Sequence, residues 1–107
     1  MIEKIIASLS VPSRREILNL LRNGERTSTS IAEHFDISAP AISQHLKVLE
    51  SSGLVSVRKS GTKRYYRIRK EGFKDLKEFV DQFWDDSLLR LKEAAEEEER
   101  RNNERRY

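Results

Sequence analysis

The residues best suited to binding chemistry lie between positions 38 and 50, where one predicted helix separates polar from apolar side chains. Ser38 is a favourable N-cap, Pro40 is tolerated in a first turn and Gly53 is a natural stop, so the sequence predicts a helix between them. At about 100° per residue, the two sides of this helix differ in character. The apolar side carries Ile42, Leu46 and Leu49, and the polar side carries Pro40, Ser43, Gln44 and Lys47.

This polar side has the chemistry that a DNA major groove requires. Small residues allow close approach, the amide of Gln44 can read base edges, and the ammonium group of Lys47 can bind phosphate. No acidic residue occurs on this side before Glu50. An ordinary amphipathic core helix with a polar back would show the same spacing, so the flanking elements must distinguish the two.

Two helices are predicted to come first. The first contains apolar residues at helical spacing, namely Ile2, Ile5, Ile6 and Leu9. Pro12 then opens a second helix, in a position where its missing N–H costs nothing, and Asn23-Gly24 ends it. Arg14 and Arg15 fall in the first turn of this second helix, where the helix dipole disfavours cations and a nearby phosphate would remove the conflict. Its buried face is predicted to contain Ile17, Leu18 and Leu21.

The next segment predicts a helix-turn-helix. Capping residues at 27–30 precede a short helix over residues 31–35, which points Ile31 and Phe35 inward. Asp36-Ile37-Ser38 then forms a three-residue turn into the helix that carries Gln44. A short helix, a tight turn and a longer helix are the arrangement in which the second helix enters a DNA groove.

After Gly53 the period changes from helical to alternating, which predicts a β-hairpin with its turn at residues 59–63. The apolar positions of its two strands are Leu54, Val55, Val57, Tyr66 and Ile68. The tip and flanks carry Arg58, Lys59, Lys63 and Arg64. Charged hairpin tips are often simply solvated. Behind a helix-turn-helix, this one is better interpreted as a wing whose cations reach phosphate or the minor groove.

A long C-terminal helix is predicted from Gly72 onward. Its apolar stripe comprises Phe73, Leu76, Phe79, Val80, Phe83, Trp84, Leu88 and Leu91. The stripe could fold back on the core of its own chain, but its size favours pairing with a second copy. Residues 93–106 are almost wholly charged, so we expect a solvent-projecting helix or disorder there. The predicted organisation is a DNA-binding and dimerisation domain over residues 1–92 and a charged tail over residues 93–107.

Composition limits the possible functions. Apolar residues make up 36% of the 107-residue chain, so the core is modest and a partner subunit would help to complete it. Residues 1–70 carry 13 Lys and Arg against 6 Asp and Glu, whereas residues 71–107 carry 8 against 12, and a basic body suits nucleic-acid binding. We find no secretory signal, membrane span, Cys or nucleophile–base pair in the sequence. We therefore expect a cytoplasmic protein that does not contact membranes, is not an enzyme and uses no cofactor.

Three segments carry a resemblance to a known family: SAPAISQHLKVL at 38–49, Gly53-Leu54-Val55, and RYYRI in the basic hairpin at 64–68. With weaker matches at 9–18 and 31–35, the chain resembles the winged helix-turn-helix repressors of the ArsR family over roughly residues 1–85. The resemblance implies a mainly α fold with a small β-hairpin (α+β) and a homodimer that represses transcription by occupying an operator. The first and last helices would form the interface, through Ile2, Ile5, Ile6, Phe79, Phe83, Trp84, Leu88 and Leu91.

Departures from the family pattern concern what the protein senses. Thr27-Ser28-Thr29 stands where the arsenic- and cadmium-sensing members carry C-x-C, and residues 71–107 contain no His for a zinc site. The two histidines of the chain, His34 and His45, are read as a surface residue and a recognition-helix residue. Phe83-Trp84 resembles the subgroup without a metal site, which implies that the concentration of the protein sets operator occupancy. Any small-molecule effector is unknown.

For DNA binding, the leading hypothesis assigns three roles. Close approach is allowed by Ser38, Pro40 and Ala41. Base edges or nearby phosphates are contacted by Ser43, Gln44 and His45. Charge is contributed by Lys47, Arg58, Lys59, Lys63 and Arg64. Two other interpretations stay open: a winged-helix module for protein assembly whose basic hairpin serves an acidic partner, and a DNA-binding protein without sequence preference.

Overall fold

The computed structural model describes residues 2–83 and 89–105. In chain order, its elements are α1 (Ile2–Leu9), α2 (Pro12–Leu20), β1 (Arg26–Thr27), α3 (Ser28–Ala32), α4 (Ala39–Ser51), β2 (Val55–Ser60), β3 (Lys63–Ile68), α5 (Lys70–Phe83) and α6 (Leu89–Arg105). The chain divides into two compact units between Leu76 and Lys77, whereas the predicted boundary at residues 92 and 93 lies inside α6. Within the described ranges, we find no helix that is long and apolar enough to cross a membrane.

The apolar faces that the sequence predicts build the core of the first unit. Its buried side chains are Ile5, Ile17, Leu18, Leu21, Ile31, Ile42, Leu46, Leu49, Leu54, Val55 and Tyr66. Burying one such side chain stabilises the fold by about 1.5–3 kcal/mol. Because α4 buries three of them on one side, its polar side must face solvent.

Side-chain caps begin the two helices of the helix-turn-helix. The Ser38 hydroxyl accepts a hydrogen bond from the backbone N–H of Ala41 at 3.3 Å, and α4 is followed by Gly53 at φ 82°. The Thr27 hydroxyl accepts one from the backbone N–H of Ser30 at 3.1 Å. Both caps satisfy N–H groups that a helix start leaves without a partner. The predicted start and stop of α4 are therefore confirmed.

Helix α2 begins at Pro12 as predicted, but the α-helix ends at Leu20, before the predicted stop at Asn23-Gly24. Val11 provides no side-chain cap, and Pro12 occupies the first turn. The helix continues into a 3-10 turn over Leu21–Asn23, after which Gly24 reverses the chain at φ 139°.

Helix α3 lies three residues earlier than predicted, because it begins at Ser28 instead of residue 31. It ends at Ala32, so residues 33–38 form a six-residue connection to α4 instead of a three-residue turn. His34 and Phe35 make backbone hydrogen bonds to the carbonyl groups three residues earlier, which tightens the chain and ends the α-helix. Phe35 still packs against the core. The apolar pattern therefore identified an inward-facing residue but placed the helix three residues too late in the chain.

The sheet has three antiparallel strands in the order β1-β3-β2, where the sequence predicted only a hairpin. The additional strand pairs Arg26 with Tyr66 and Thr27 with Tyr65. Two residues are too few for an alternating pattern, so the sequence carries no signal for this strand. The hairpin turn is also tighter than predicted, because residues 59, 60 and 63 are paired within β2 and β3 and only residues 61 and 62 connect the strands.

Helix α5 begins at Lys70, two residues before the predicted start, and its Phe73 and Leu76 pack against the core of the first unit. In the second unit, the rings of Phe79 and Phe83 lie 5.2 Å apart between centroids. Helix α6 extends over residues that were predicted to be either helical or disordered. The predicted interface residues Trp84 and Leu88 lie outside the described residues.

Candidate nucleic-acid interface

One side of α4 is free to meet a ligand. Pro40, Ser43, Gln44 and Lys47 are all exposed, while the opposite side of the helix is buried in the core. The hydrophobic packing that orients α4 therefore places its small, amide-bearing and cationic side chains together on the exposed side of the helix. This placement agrees with the helix face that the sequence predicts.

The wing contributes cations from one face of its hairpin. Lys59 pairs with Arg64, and two residues along the strands Val57 pairs with the buried Tyr66. Because side chains alternate across a strand, Lys59 and Arg64 lie on the same face of the hairpin as Tyr66, which is the face that packs against the core. Arg58 lies on the opposite face by the same alternation.

A groove between α4 and the wing brings these residues together. Its lining comprises Ser28, Pro40, Ser43, Gln44, Lys47, Glu50, Val57, Lys59, Thr62, Arg64 and Tyr66. Six predicted DNA-binding residues therefore share one surface, which we call the α4–wing groove. The sequence did not single out Ser28 or Thr62 for binding, because Ser28 belongs to a capping cluster and Thr62 to a turn.

The charge of the α4–wing groove is predominantly positive. Lys47, Lys59 and Arg64 oppose a single carboxylate, that of Glu50. Among the described residues, none of these three cations forms an ion pair. Unpaired cations beside an amide-bearing helix face are suited to a polyanion that also presents hydrogen-bonding groups.

His45 makes a contact within the chain. Its ring is half-buried, and Nδ1 accepts a hydrogen bond from Nε of Arg14 at 3.2 Å. An accepting Nδ1 leaves the proton of the neutral ring on Nε2. The contact brings the cation of Arg14, in the first turn of α2, next to α4. In the sequence, the one signal for a role of Arg14 was its unfavourable position in the dipole of α2.

Arg58 is committed to a partner away from the α4–wing groove. Its terminal nitrogen donates to Glu25 at 2.7 Å, its Nε donates to the other carboxylate oxygen at 3.4 Å, and its guanidinium lies 4.5 Å from the ring centroid of Tyr65. The hydrogen bond from Arg58 lowers the pKa of Glu25, and the same bond raises the pKa of Arg58. The structure therefore does not bring Arg58 together with the other predicted DNA-binding residues.

Three other predicted residues lie beside the α4–wing groove. Ser38 is exposed and caps α4, and Ala41 is half-buried next to it. Lys63 lines a neighbouring recess with the capping cluster at 27–30, and Arg64 borders both surfaces. Lys63 is thus close to the groove without facing it.

The described residues contain no group of three or more His, Cys, Asp or Glu side chains that could hold a metal ion. His34 is exposed, and its Nδ1 donates to the backbone carbonyl of Ser30 at 3.0 Å. The surface position predicted for His34 is therefore confirmed.

Comparison with known proteins gives consistent matches. The sequence pattern of a family described as bacterial regulatory protein, arsR family, matches residues 11–57, which include α2, α3 and α4. The transcriptional repressor SdpR of Bacillus subtilis is 42% identical over 64 residues, which cover 60% of this chain and 71% of that protein.

Two solved structures share the fold. The crystal structure of a possible transcriptional regulator for arsenical resistance is 46% identical, with a TM-score of 0.71, over 79% of this chain and 88% of that one. The solution structure of a homodimeric winged helix-turn-helix DNA-binding domain from Mycobacterium bovis, a possible ArsR-family regulator, is 34% identical. Its TM-score is 0.64, and the match covers 81% of each chain.

Proposed function

Because this chain belongs to the ArsR family of bacterial regulatory proteins, we propose that it is a repressor that binds a palindromic operator as a homodimer. It is a DNA-binding winged-helix transcriptional regulator. SdpR, the relative from Bacillus subtilis, is named as a repressor. Repression requires only that the bound protein covers a promoter.

The α4–wing groove is the observation that carries this proposal. Gln44 offers an amide that can pair with adenine, and Pro40 and Ser43 leave room for the helix to approach the bases. Lys47, which is unpaired among the described residues, supplies a cation on the same helix. Docking α4 in the major groove would therefore read bases while the charges of the wing bind adjacent phosphates.

Arg14 extends this interface beyond the groove. Its Nε is held by His45, its terminal amino groups have no hydrogen-bond partner within residues 2–83 and 89–105, and the first turn of α2 contains no acidic residue. A DNA phosphate at this point would receive hydrogen bonds from Arg14 and would relieve its unfavourable position in the helix dipole. We assign Arg14 to phosphate binding and His45 to holding it in place.

Homodimerisation is supported by exposed apolar side chains on α1, α5 and α6. Ile6 is 48% exposed, Phe83 54% and Leu91 64%. Of the predicted interface residues, Ile5 is enclosed in the core of the single chain and has no surface to offer, whereas Ile2 is half-buried. Two recognition helices in a two-fold dimer would enter successive major grooves, about 34–36 Å apart.

Regulation without a metal effector completes the proposal. The absence of Cys from the sequence, together with the exposed position and backbone contact of His34, supports a repressor that does not respond to metal ions. The resemblance at Phe83-Trp84 is what favours occupancy that follows the concentration of the protein. Addition of Zn²⁺ or arsenite should then leave the dissociation constant for the operator unchanged, as measured by fluorescence anisotropy.

Selection of bound duplexes from a random DNA pool tests the proposed function. At near-physiological salt, we expect a two-fold-related consensus with half-sites about one helical turn apart. The matched control is a variant with Gln44→Ala and Ser43→Ala, which retains every cation and should bind DNA without enriching that consensus. Recovery of DNA without any consensus by the wild-type chain would contradict the proposal. It would favour non-specific binding or a role in protein assembly.

A further inference from the structure

A second cavity lies in the first unit, apart from the α4–wing groove. It measures about 740 Å³, which is within the range of small-molecule sites in proteins. Its apolar lining comes from Leu18, Leu21, Ile68 and Phe73. It shares no lining residue with the α4–wing groove, so DNA bound there would not need to occupy it.

Three cations surround this apolar lining. Arg22 comes from the 3-10 turn, Arg67 from β3 and Lys70 from the start of α5, so three separate elements converge on the cavity. All three side chains are exposed, and none forms an ion pair among the described residues.

The single acidic residue of the lining does not neutralise this charge. The carboxylate of Glu25 is already held by Arg58, through two hydrogen bonds of 2.7 and 3.4 Å. Glu25 also attracts Arg67, which helps to lower the pKa of Glu25 and offsets part of the charge of Arg67, whereas Arg22 and Lys70 remain available to a ligand.

We propose that this cavity binds a small amphipathic anion, such as a fatty or aryl carboxylate or sulfonate. The apolar body of the ligand would lie against Leu18, Leu21 and Phe73, and its anionic group would receive charge-assisted hydrogen bonds from the three cations. A ligand with only one of these two parts would not match the whole cavity. An uncharged apolar ligand would make no ion pair with the cations, and an inorganic anion would leave the apolar lining exposed to solvent.

Fluorescence titration with anilinonaphthalene sulfonate tests the site on the full chain. We expect saturable binding of one probe per chain and displacement by octanoate, with octanol at least about tenfold weaker as a competitor because it lacks the charge. A variant with Arg22→Gln, Arg67→Gln and Lys70→Gln should bind the probe at least about tenfold more weakly. Since the three side chains are exposed, its urea unfolding midpoint should match that of the wild type.

A charge-matched variant provides the control. Replacing Lys47, Lys59 and Arg64 with Gln removes the same charge from the α4–wing groove and should change the probe dissociation constant less than twofold. Equal weakening in both variants would show a general effect of charge and would overturn the proposal, as would unchanged binding in the cavity variant. A large fall in the salt dependence of DNA binding in the cavity variant would also overturn it, because those cations would then be phosphate contacts.

Discussion

Replacing Gly72 with Ala should destabilise the protein, although the same change inside a helix normally stabilises it. Gly72 is buried in α5, and an added Cβ would lie 2.1 Å from the carbonyl oxygen of Gly53 and 2.9 Å from its carbonyl carbon. The segments around Gly53 and Gly72 are also joined, since the backbone N–H of Arg69 donates to the carbonyl of Leu54 at 2.9 Å. Separating the two backbones would strain this hydrogen bond.

The expected size of the effect follows from two opposing contributions. Ala in place of Gly contributes about 0.5–1 kcal/mol of stability in a helix interior, which is an upper bound for Gly72 in the first turn of α5, whereas overpacking a close contact typically costs about 1–3 kcal/mol and occasionally more. A contact as short as 2.1 Å against backbone lies at the upper end of that cost. We therefore expect the free energy of unfolding to fall by about 2 kcal/mol.

Urea unfolding followed by circular dichroism, at one fixed protein concentration, measures this change. Lys74→Ala in the same helix is the control, because Lys74 is exposed and the two residues have similar helix propensity, so its midpoint should stay near that of the wild type. A Gly72→Ala variant as stable as the wild type would refute the reasoning. It would mean that α5 can move away from the Gly53 turn at little cost.

Four further predictions concern the α4–wing groove and the Glu25–Arg58 pair. Gln44→Ala should cost about 1–3 kcal/mol on the selected operator and little on a scrambled duplex, as measured by fluorescence anisotropy, and equal losses on both would contradict base reading. Arg64→Ala should reduce the slope of log K against log salt by about one on either duplex. Arg58→Ala should leave that slope unchanged, because Glu25 already neutralises Arg58 on the other face of the wing; matching slopes for the two variants would refute this division. Since Arg58 lowers the pKa of Glu25, the ionised pair contributes stability above the ordinary pKa of 4.5 that is lost as pH falls through the lower folded value. Unfolding measured at neutral and acidic pH should therefore show a smaller acid-induced loss for Glu25→Gln than for the wild type, and equal losses would exclude the pair as a contributor.

The sequence predicts those features that depend on local chemistry or on periodicity. The cap at Ser38, the stop at Gly53 and the buried side of α4 each follow from residue type and spacing within one helix. Strand β1 could not be predicted in this way, because only its pairing with Tyr65 and Tyr66 defines it. The sequence predicts Gly72 only as the start of a helix. Its close approach to Gly53 could not be predicted, because it depends on packing between segments that are distant in sequence.

The cations of the hairpin are a second example of a property that depends on contacts between distant segments. From the sequence, Arg58 and Arg64 are equivalent charges on one hairpin. In the structure, Arg58 is paired with Glu25, whereas Arg64 lines the α4–wing groove and can attract an anionic ligand with its full charge. An exposed ion pair contributes only a small amount to stability, so the main consequence of the Glu25–Arg58 pair is that it leaves Arg58 less charge to offer an anionic ligand. Lys47, Lys59 and Arg64 have no acidic partner among the described residues, and they converge on the side of α4 that presents Gln44. A cluster of exposed, unpaired cations attracts a polyanion, and the amide of Gln44 beside it supports the proposal that this polyanion is DNA.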